Sequence, residues 1–114
     1  MDAVTEVQLA PEQRGHSAQP ARDEIHIEAV LHALADPVRL AIVRQLAGPG
    51  CEIACRGLEV SVSKSTLTHH LRILREAGVI TDRHQGTAKY NSLRREDLDA
   101  LFPGLLNGIL AAPR

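Results

Sequence analysis

The chain has 114 residues, of which 44% are hydrophobic and 24% are charged, and its formal net charge at pH 7 is −1. This composition is typical of one globular domain and excludes a wholly disordered chain. No run of about eighteen apolar residues exists, which excludes a transmembrane helix, and the N-terminus lacks the pattern of a signal peptide. Two cysteines are too few for a disulfide scaffold, so a reducing cytoplasm is the expected setting.

The net charge conceals an uneven distribution of charge along the chain. Residues 62–95 contain seven basic and two acidic side chains, a net charge of +5, whereas the segments before and after carry −4 and −2. Binding to nucleic-acid phosphates requires such a local concentration of positive charge, whatever the overall isoelectric point. The alternative interpretation of the same residues is a solvated basic face without a partner.

The chain divides into a tail and a folded part. Residues 1–22 contain several Gln, Pro and Gly residues and almost no apolar periodicity, which predicts a flexible N-terminal tail. Residues 23–112 carry the periodic apolar patterns and form the predicted domain. Because about ninety residues make only a small core, burial against a partner chain would add stability.

Two helices are predicted at the start of this domain. Residues 23–35 form the first, because four apolar side chains recur at helical spacing, namely Ile27, Val30, Leu31 and Leu34. Asp36 suits the N-cap of the second helix, and Pro37 suits its first turn. The glycines and proline of residues 48–50 end this second helix.

A helix-turn-helix is predicted in the middle of the domain. A short helix is expected over residues 52–58, although Gly57 weakens it. A longer helix follows, with Ser63 as its N-cap and Gly78 as the residue that ends it. Its buried stripe consists of Leu67, Leu71 and Leu74. Two helices joined in this way, the second of which opens Ser-Lys-Ser-Thr, are typical of a helix-turn-helix.

After the longer helix the periodicity changes to that of strands. Residues 79–84 and 87–93 predict two short strands around a turn at residues 85–86, where Gly supplies the positive φ of a hairpin. A final helical stretch begins near Arg95, and Pro103 divides it. The apolar face of this stretch consists of Leu98, Leu101, Phe102, Leu105 and Ile109. The predicted fold class is therefore mainly α with a small β-hairpin.

The face of the longer helix opposite its leucine stripe is the predicted DNA-reading surface. Small hydroxyls, an imidazole and cations on that face can bind base edges and phosphates in a major groove. These residues are Ser63, Lys64, Ser65, Thr66, Thr68, His69 and Arg72, and Arg75 is added as a phosphate contact. The helix N-terminus offers its own N–H groups to a phosphate. His70 lies nearer the leucine stripe and is interpreted as a packed histidine.

The hairpin offers a second contact surface for DNA. A flexible ribbon can reach a neighbouring groove, and the candidate residues on it are Arg83, His84, Gln85 and Lys89. Because these side chains continue the basic segment of the preceding helix, DNA contact is favoured over a merely solvated turn.

Two segments carry a family resemblance. Residues 34–40 (LADPVRL) and 63–80 (SKSTLTHHLRILREAGVI) closely resemble the ArsR/SmtB, or arsenic-repressor, family of bacterial transcriptional regulators. The resemblance covers about residues 25–109 in a compatible order of elements. It implies a winged helix-turn-helix homodimer in the bacterial cytoplasm that binds a pseudo-palindromic operator in double-stranded DNA and usually represses transcription.

The family resemblance also implies where the two protomers meet. In the family the dimer interface comes from the first and last helices. The apolar stripes that would supply this burial here are Ile27, Val30, Leu31, Leu34, Leu98, Leu105 and Ile109.

The sequence leaves the effector of such a regulator open. Members of the family sense metal ions, metalloids, oxidants or reactive sulfur, and the arsenic and lead site uses closely spaced cysteines before the recognition helix. Cys51 and Cys55 occupy that neighbourhood, and if both are helical they share a face that could hold a thiophilic ion. The usual Cys-x-Cys spacing is Cys-x-x-x-Cys here. The alternatives are two small structural cysteines or a redox role.

A second metal site of the family pairs Asp and His from the closing helix. No histidine follows His84 in this sequence, so a zinc site of that design is not expected, and Asp97 and Asp99 are interpreted as helix N-terminal charges. His26 and His32 lie six residues apart and do not share a helix face. A nickel or zinc site that combines one of them with a residue of a partner chain remains as an alternative.

Two further classes of function compete with the DNA-binding regulator. A winged-helix module for protein contact is disfavoured, because a docking face usually presents apolar or aromatic anchors. A thiol oxidoreductase is disfavoured because Cys-x-x-x-Cys lacks the two-residue spacing of redox motifs. No phosphate loop, nucleophile–base pair or metalloprotease helix occurs in the sequence, so the prediction is a regulator and not an enzyme.

Overall fold

The computed structural model describes residues 19–114, so the first eighteen residues of the predicted tail lie outside the described part. The described residues form five α-helices and a three-stranded antiparallel sheet, which confirms the predicted mainly α fold with a β-hairpin wing. The elements are α1 (Ile27–Leu34), α2 (Pro37–Gln45), β1 (Ile53–Ala54), α3 (Lys64–Ala77), β2 (Ile80–Gln85), β3 (Ala88–Leu93), α4 (Arg95–Leu101) and α5 (Leu105–Ala111).

The core is built almost entirely from aliphatic side chains. It joins helices α1, α2 and α3 and continues under the start of β2 into α4 and α5. Its most deeply buried apolar members are Val30, Ile42, Val43, Leu46, Leu74, Val79, Ile80 and Leu106. Burial of these side chains supplies the main stabilising term of the fold and fixes α3 from its inner side.

The predicted first helix over residues 23–35 is wrong in its opening turn. The structure has a 3-10 turn at Arg22–Glu24 and starts α1 only at Ile27. Between them Ile25 is extended, and its buried side chain packs against Gly78, where an added Cβ would lie 2.5 Å from Ile25 Cγ1. This long-range contact fixes the backbone at Ile25 and outweighs the local helical periodicity.

Residues 19–22, which the sequence assigned to the tail, form an N-terminal strap across the base of the hairpin and the start of α4. The side chain of Gln19 accepts from Thr81 Oγ1 and donates to Asp82 Oδ1 at 3.0 Å. The Pro20 carbonyl oxygen accepts from Arg94 at 2.5 Å, and Arg22 Nε donates to Asp97 Oδ1 at 2.6 Å. The hydrogen bond from Arg22 holds the pKa of the Asp97 carboxyl below its ordinary value.

Helix α2 begins as the sequence predicts. Asp36 Oδ2 accepts from the backbone N–H groups of Val38 and Arg39 at 2.9 and 3.1 Å, and Pro37 occupies the first turn. These two N–H groups would otherwise lack partners at the helix start. The hydrogen bond from Arg39, followed by that from Val38, lowers the pKa of the Asp36 carboxyl.

Replacing Asp36 by alanine should lower the free energy of unfolding at pH 7 by about 1 kcal/mol, because the cap is lost. Asp36→Asn is the matched control, since asparagine caps about as well. The folded-state pKa of Asp36 is lowered, so its contribution is present above the unfolded value and is lost as the pH falls through the folded one. In urea unfolding across that acid range, the free energy of unfolding of the native chain should fall toward that of the Ala variant. An equal deficit at every pH would contradict this account.

The predicted helix over residues 52–58 is wrong. Ile53 and Ala54 form strand β1, which pairs with Asn91 and Tyr90 of β3, and a 3-10 turn follows at Cys55–Gly57. A β-branched residue at the edge of an existing hairpin favours the strand, whereas Gly disfavours a helix. The partner strand lies almost forty residues further along the chain, so no local pattern could indicate this pairing.

Helix α3 agrees with the prediction at both ends. Ser63 Oγ accepts from the Thr66 N–H at 3.2 Å, and Gly78 ends the helix in the left-handed conformation with φ 87°. Leu71 and Leu74 are buried beneath it and Leu67 is half-buried, as their spacing predicts. The polar residues of the first turns therefore face outward.

The hairpin and the last two helices complete the fold. Strands β2 and β3 pair from Ile80 opposite Leu93 to Gln85 opposite Ala88, so the turn consists of Gly86 and Thr87. This turn lies one residue later than predicted, and Gly86 supplies the positive φ of 61°. Helices α4 and α5 are separated around Pro103, which confirms the predicted interruption.

Candidate nucleic-acid interface

The first turn of α3 presents hydroxyl groups and an ammonium group to solvent. Ser63, Lys64, Ser65 and Thr66 are all exposed. Ser63 Oγ lies 2.9 Å from Thr66 Oγ1 and 3.3 Å from Ser65 Oγ, so the hydroxyls form a small cluster over the open N–H groups of the helix start. The Lys64 ammonium has no ion-pair partner among residues 19–114. Such a surface can bind a phosphate or a base edge.

The next turn of α3 presents Thr68, His69 and Arg72, all of them exposed. Thr68 Oγ1 donates to the Lys64 carbonyl oxygen at 3.0 Å, so the hydroxyl keeps only its acceptor capacity for a partner. Arg72 Nη2 lies 3.3 Å from His69 Nδ1. Because a guanidinium can only donate, Nδ1 must accept, and the neutral imidazole then carries its proton on the outward Nε2.

His70 lies on the inner side of α3, as its position next to the leucine stripe predicts. Its Nδ1 is 3.1 Å from Nη1 of the buried Arg39, and Arg39 Nε donates to the Ala33 carbonyl oxygen at 2.7 Å. The Arg39 guanidinium thus connects the end of α1, helix α2 and helix α3. This contact holds α3 in place and leaves His70 outside the predicted DNA-reading surface.

Arg75, predicted as a phosphate contact, is instead a buried residue. Only 3% of it is exposed, and its Nε lies 3.4 Å from Oδ2 of Asp82, whose side chain is fully buried. Lys89 Nζ approaches the same oxygen at 3.7 Å. The spacing of four residues from Leu71 indicates this burial, but the charge of the arginine suggested the opposite. Arg75 therefore connects α3 to the hairpin and lies outside the exposed part of the predicted DNA-reading surface.

The hairpin tip presents fewer free cations than its sequence suggests. Arg83, His84 and Gln85 are exposed, but Arg83 is paired with Glu52 and lies over the ring of Tyr90. Lys89 is half-buried and is drawn toward Asp82. The structure therefore brings the predicted residues of α3 onto one outward face, whereas the charges of the hairpin are partly neutralised by its own neighbours. Sequence reasoning missed the exposed Arg56 on the turn before α3, because a single cation in an irregular segment shows no periodicity.

The predicted dimer stripes divide between core and surface. Val30, Leu34 and Leu98 are buried inside this chain, so they are not available to a partner, contrary to the prediction. Ile27 and Leu31 are 38% and 48% exposed, and they are the exposed large hydrophobic residues of the described chain. The half-buried members on α5 are Leu105 and Ile109. Because α1 has apolar side chains on two faces, one helix can serve both the core and an interface.

The two cysteines do not form a common helical face, because the helix that would align them is absent. Cys51 Sγ donates to the Gln45 carbonyl oxygen at 3.6 Å, and Cys55 Sγ accepts from Asn91 Nδ2 at 3.4 Å. Both are free thiols and half-buried. Within residues 19–114 no three His, Cys, Asp or Glu side chains are grouped so as to hold a metal ion. The two thiols thus lie on separate segments of the described chain, and a thiophilic-ion site at Cys51 and Cys55 stays a prediction.

None of the helices within residues 19–114 has the length and apolar character needed to cross a membrane.

Comparison with known proteins identifies relatives of this chain. A family model described as a helix-turn-helix domain matches residues 34–83. An uncharacterized HTH-type regulator of Bacillus subtilis, YceK, is 37% identical over 86 residues, or 74% of this chain and 85% of that protein. The arsenical resistance operon repressor of Bacillus subtilis is 37% identical over 66% of this chain and 72% of its own length. The crystal structure of NolR from Sinorhizobium fredii matches with a TM-score of 0.59 at 28% identity, covering 94% of this chain and all of that one.

Proposed function

The chain belongs to the ArsR family of helix-turn-helix transcriptional regulators and is not an enzyme, and we propose that it represses transcription as a homodimer on a pseudo-palindromic operator. The observation that carries this proposal is the outer face of α3. Every residue that the sequence assigned to it, apart from Arg75, is exposed, and no acidic residue precedes Glu76 on the helix. From Ser63 to Arg72 this face presents hydroxyls, imidazole and cations without a carboxylate, which suits the edges and phosphates of a major groove, and the exposed Glu76 follows only in the last turn.

The side chains of this face divide by chemistry into two roles. Arg72 and the open N–H groups at the start of α3 bind phosphates, and Lys89 adds charge from the hairpin. Lys64, Ser65, Thr68 and His69 read bases. Thr68 acts as an acceptor, for which the amino groups of adenine and cytosine are the matching donors. His69 donates through Nε2, for which the guanine acceptors are suitable.

The second part of the proposal is the dimer. Ile27 and Leu31 on α1, with Leu105 and Ile109 on α5, form the apolar contact between protomers. Two recognition helices about 34 Å apart then meet successive major grooves on one side of the duplex. A regulator of this kind works in the bacterial cytoplasm, where its operator lies. An effector would act by changing the relative orientation of the two halves.

The experiment that tests this function is binding of the reduced protein to DNA from upstream of its own gene. A scrambled duplex serves as competitor, and zinc, nickel, arsenite or a mild oxidant is added in turn. We expect specific binding that one additive weakens, which would identify the signal class. Specific binding that no additive changes would contradict a metal ion or an oxidant as the effector and would leave the operator proposal unchanged. No preference over the scrambled duplex would overturn the operator proposal and favour a protein-contact module.

Two substitutions test the division of roles on α3. Arg72→Ala should weaken binding to operator and scrambled DNA by a similar factor and should reduce the salt dependence, because a phosphate contact is lost. Thr68→Ala should relax the preference at particular base pairs by about 1–3 kcal/mol and leave scrambled DNA unaffected. Both variants are measured in parallel by fluorescence anisotropy on a set of single-base operator variants. Equal losses on specific and scrambled DNA for both variants would refute the assignment.

A further inference from the structure

Arg83 is the most exposed of the Arg and Lys side chains on the hairpin, yet each of its three guanidinium nitrogens donates to a group within the chain. Its Nε lies 3.0 and 2.8 Å from the two carboxylate oxygens of Glu52, and Nη2 donates to Oε1 at 2.9 Å. Nη1 donates to Gln85 Oε1 at 2.8 Å, and the guanidinium carbon lies 5.0 Å from the centre of the Tyr90 ring. The side chain is therefore folded back across the sheet toward the segment before β1.

Glu52 holds this guanidinium in the way that a DNA phosphate would. Carboxylate and phosphate both present two oxygens that match the paired donors of arginine. The hydrogen bond from Arg83 keeps the pKa of Glu52 below its ordinary value, so the carboxylate is charged at neutral pH. A protein anion thus occupies the donors that the hairpin would otherwise offer to the phosphate backbone.

The Arg83–Glu52 pair nevertheless lies at the surface, where a DNA phosphate can replace Glu52. Half of the Arg83 side chain and 35% of the Glu52 side chain are exposed, and exposed ion pairs of this kind are weak. In contrast, the carboxylate of Asp82 is fully buried and lies 3.4 Å from Nε of the enclosed Arg75, whereas Lys89, which is 30% exposed, approaches it at 3.7 Å. The hairpin therefore has one buried ion pair, Asp82 with Arg75, and one exposed pair, in which a phosphate can replace Glu52 on Arg83.

We propose that Glu52 is an intramolecular competitor of DNA, which holds Arg83 until a phosphate replaces it. The inference rests on the proposed function, since it takes the hairpin as a DNA-contacting element. Glu52 lowers the affinity for all DNA by a similar factor, because phosphate contacts carry no sequence information. The residue thereby weakens non-specific binding and leaves the choice of operator to α3.

The test compares Glu52→Gln with the matched control Glu96→Gln, which removes the same charge from an exposed position on α4. Affinity is measured for operator and random duplexes from about 50 to 200 mM salt. We expect Glu52→Gln to bind both duplexes about 2- to 5-fold more tightly per protomer. The slope of log affinity against log salt should differ from the native slope by less than about 0.9 per protomer, since Arg83 makes the same phosphate contact in both chains once Glu52 is displaced. The gain should vanish when Arg83→Ala is added.

Three results would overturn the proposal that Glu52 competes with DNA. The first is a gain in affinity no larger than that of Glu96→Gln, and the second is a gain that persists when Arg83→Ala is added. The third is a loss of affinity in Glu52→Gln, which would show that the pair stabilises the hairpin instead. Absolute affinity for random DNA tests the competitor, whereas the ratio of operator to random affinity tests the proposed function. If the native chain shows no preference for the operator, the affinities of the native chain and Glu52→Gln for random DNA still decide whether Glu52 competes with DNA. If neither the native chain nor Glu52→Gln binds any duplex, both proposals fail.

Discussion

Replacing Asp82 by alanine should lower the free energy of unfolding by about 3–5 kcal/mol, the usual range when one partner of a buried ion pair is removed. The Arg75 side chain is 4% exposed and that of Asp82 is fully buried, with 3.4 Å between Nε and Oδ2. Lys89 is 30% exposed and can turn to solvent, but Arg75 is enclosed and would lose the carboxylate nearest its Nε. Urea unfolding at one fixed protomer concentration measures the loss.

Two comparisons separate this effect from a general loss of charge. Glu52→Gln breaks an exposed pair and should leave the urea midpoint close to that of the native chain. The double variant Arg75→Met, Asp82→Ala should be much more stable than Asp82→Ala, because apolar replacements of a buried pair are often neutral. A deficit below about 1 kcal/mol for Asp82→Ala would show that water reaches the pair.

Replacing Leu31 by glutamate should convert the proposed dimer into a monomer. Leu31 and Ile27 lie one helical turn apart on the exposed side of α1, and a carboxylate there cannot be buried against a partner without a large penalty. Sedimentation should give the 12.4 kDa mass of one chain instead of twice that value. Affinity for the full operator should fall by about 10²- to 10⁴-fold, because the two half-sites are no longer bound together.

Ala29→Glu is the matched control on the same helix. Ala29 is exposed and lies about 200° around the helix from Leu31, so its substitution adds the same charge away from the proposed contact. It should leave the mass and the operator affinity unchanged, and affinity for a single half-site should be similar in both variants. A Leu31→Glu chain that still sediments as a dimer would move the interface elsewhere.

Local sequence signals were sufficient for elements whose ends are determined by their own residues. Helix α2 follows from Asp36 and Pro37, and α3 follows from Ser63, its leucine spacing and Gly78. The outward face of α3 was predictable for the same reason, because helical periodicity assigns the polar side once the buried side is known. The predicted residues on that face are exposed as expected, with the exception of Arg75.

The predictions that are wrong depend on partners distant in the sequence. Ile25 is extended because its side chain packs against Gly78, and β1 forms because β3 is available to pair with it. Arg75 is buried because Asp82 supplies a carboxylate from the hairpin. The α1 stripe divides into two faces because only part of it meets the core. None of these partners can be read from the local window of residues, although the spacing of Arg75 from Leu71 already indicates that Arg75 is buried.

The N-terminal strap has a consequence for the order in which the protein can fold. Arg22 is separated from Asp97 by 75 positions and Gln19 from Asp82 by 63. At roughly 5–20 residues per second, a ribosome needs about 4–15 s to make the chain between the first pair. Helices α1, α2 and α3 can associate during that interval through contacts of shorter range. We therefore expect the base of the wing to reach its final position last, closed by strap residues that were synthesised well before it.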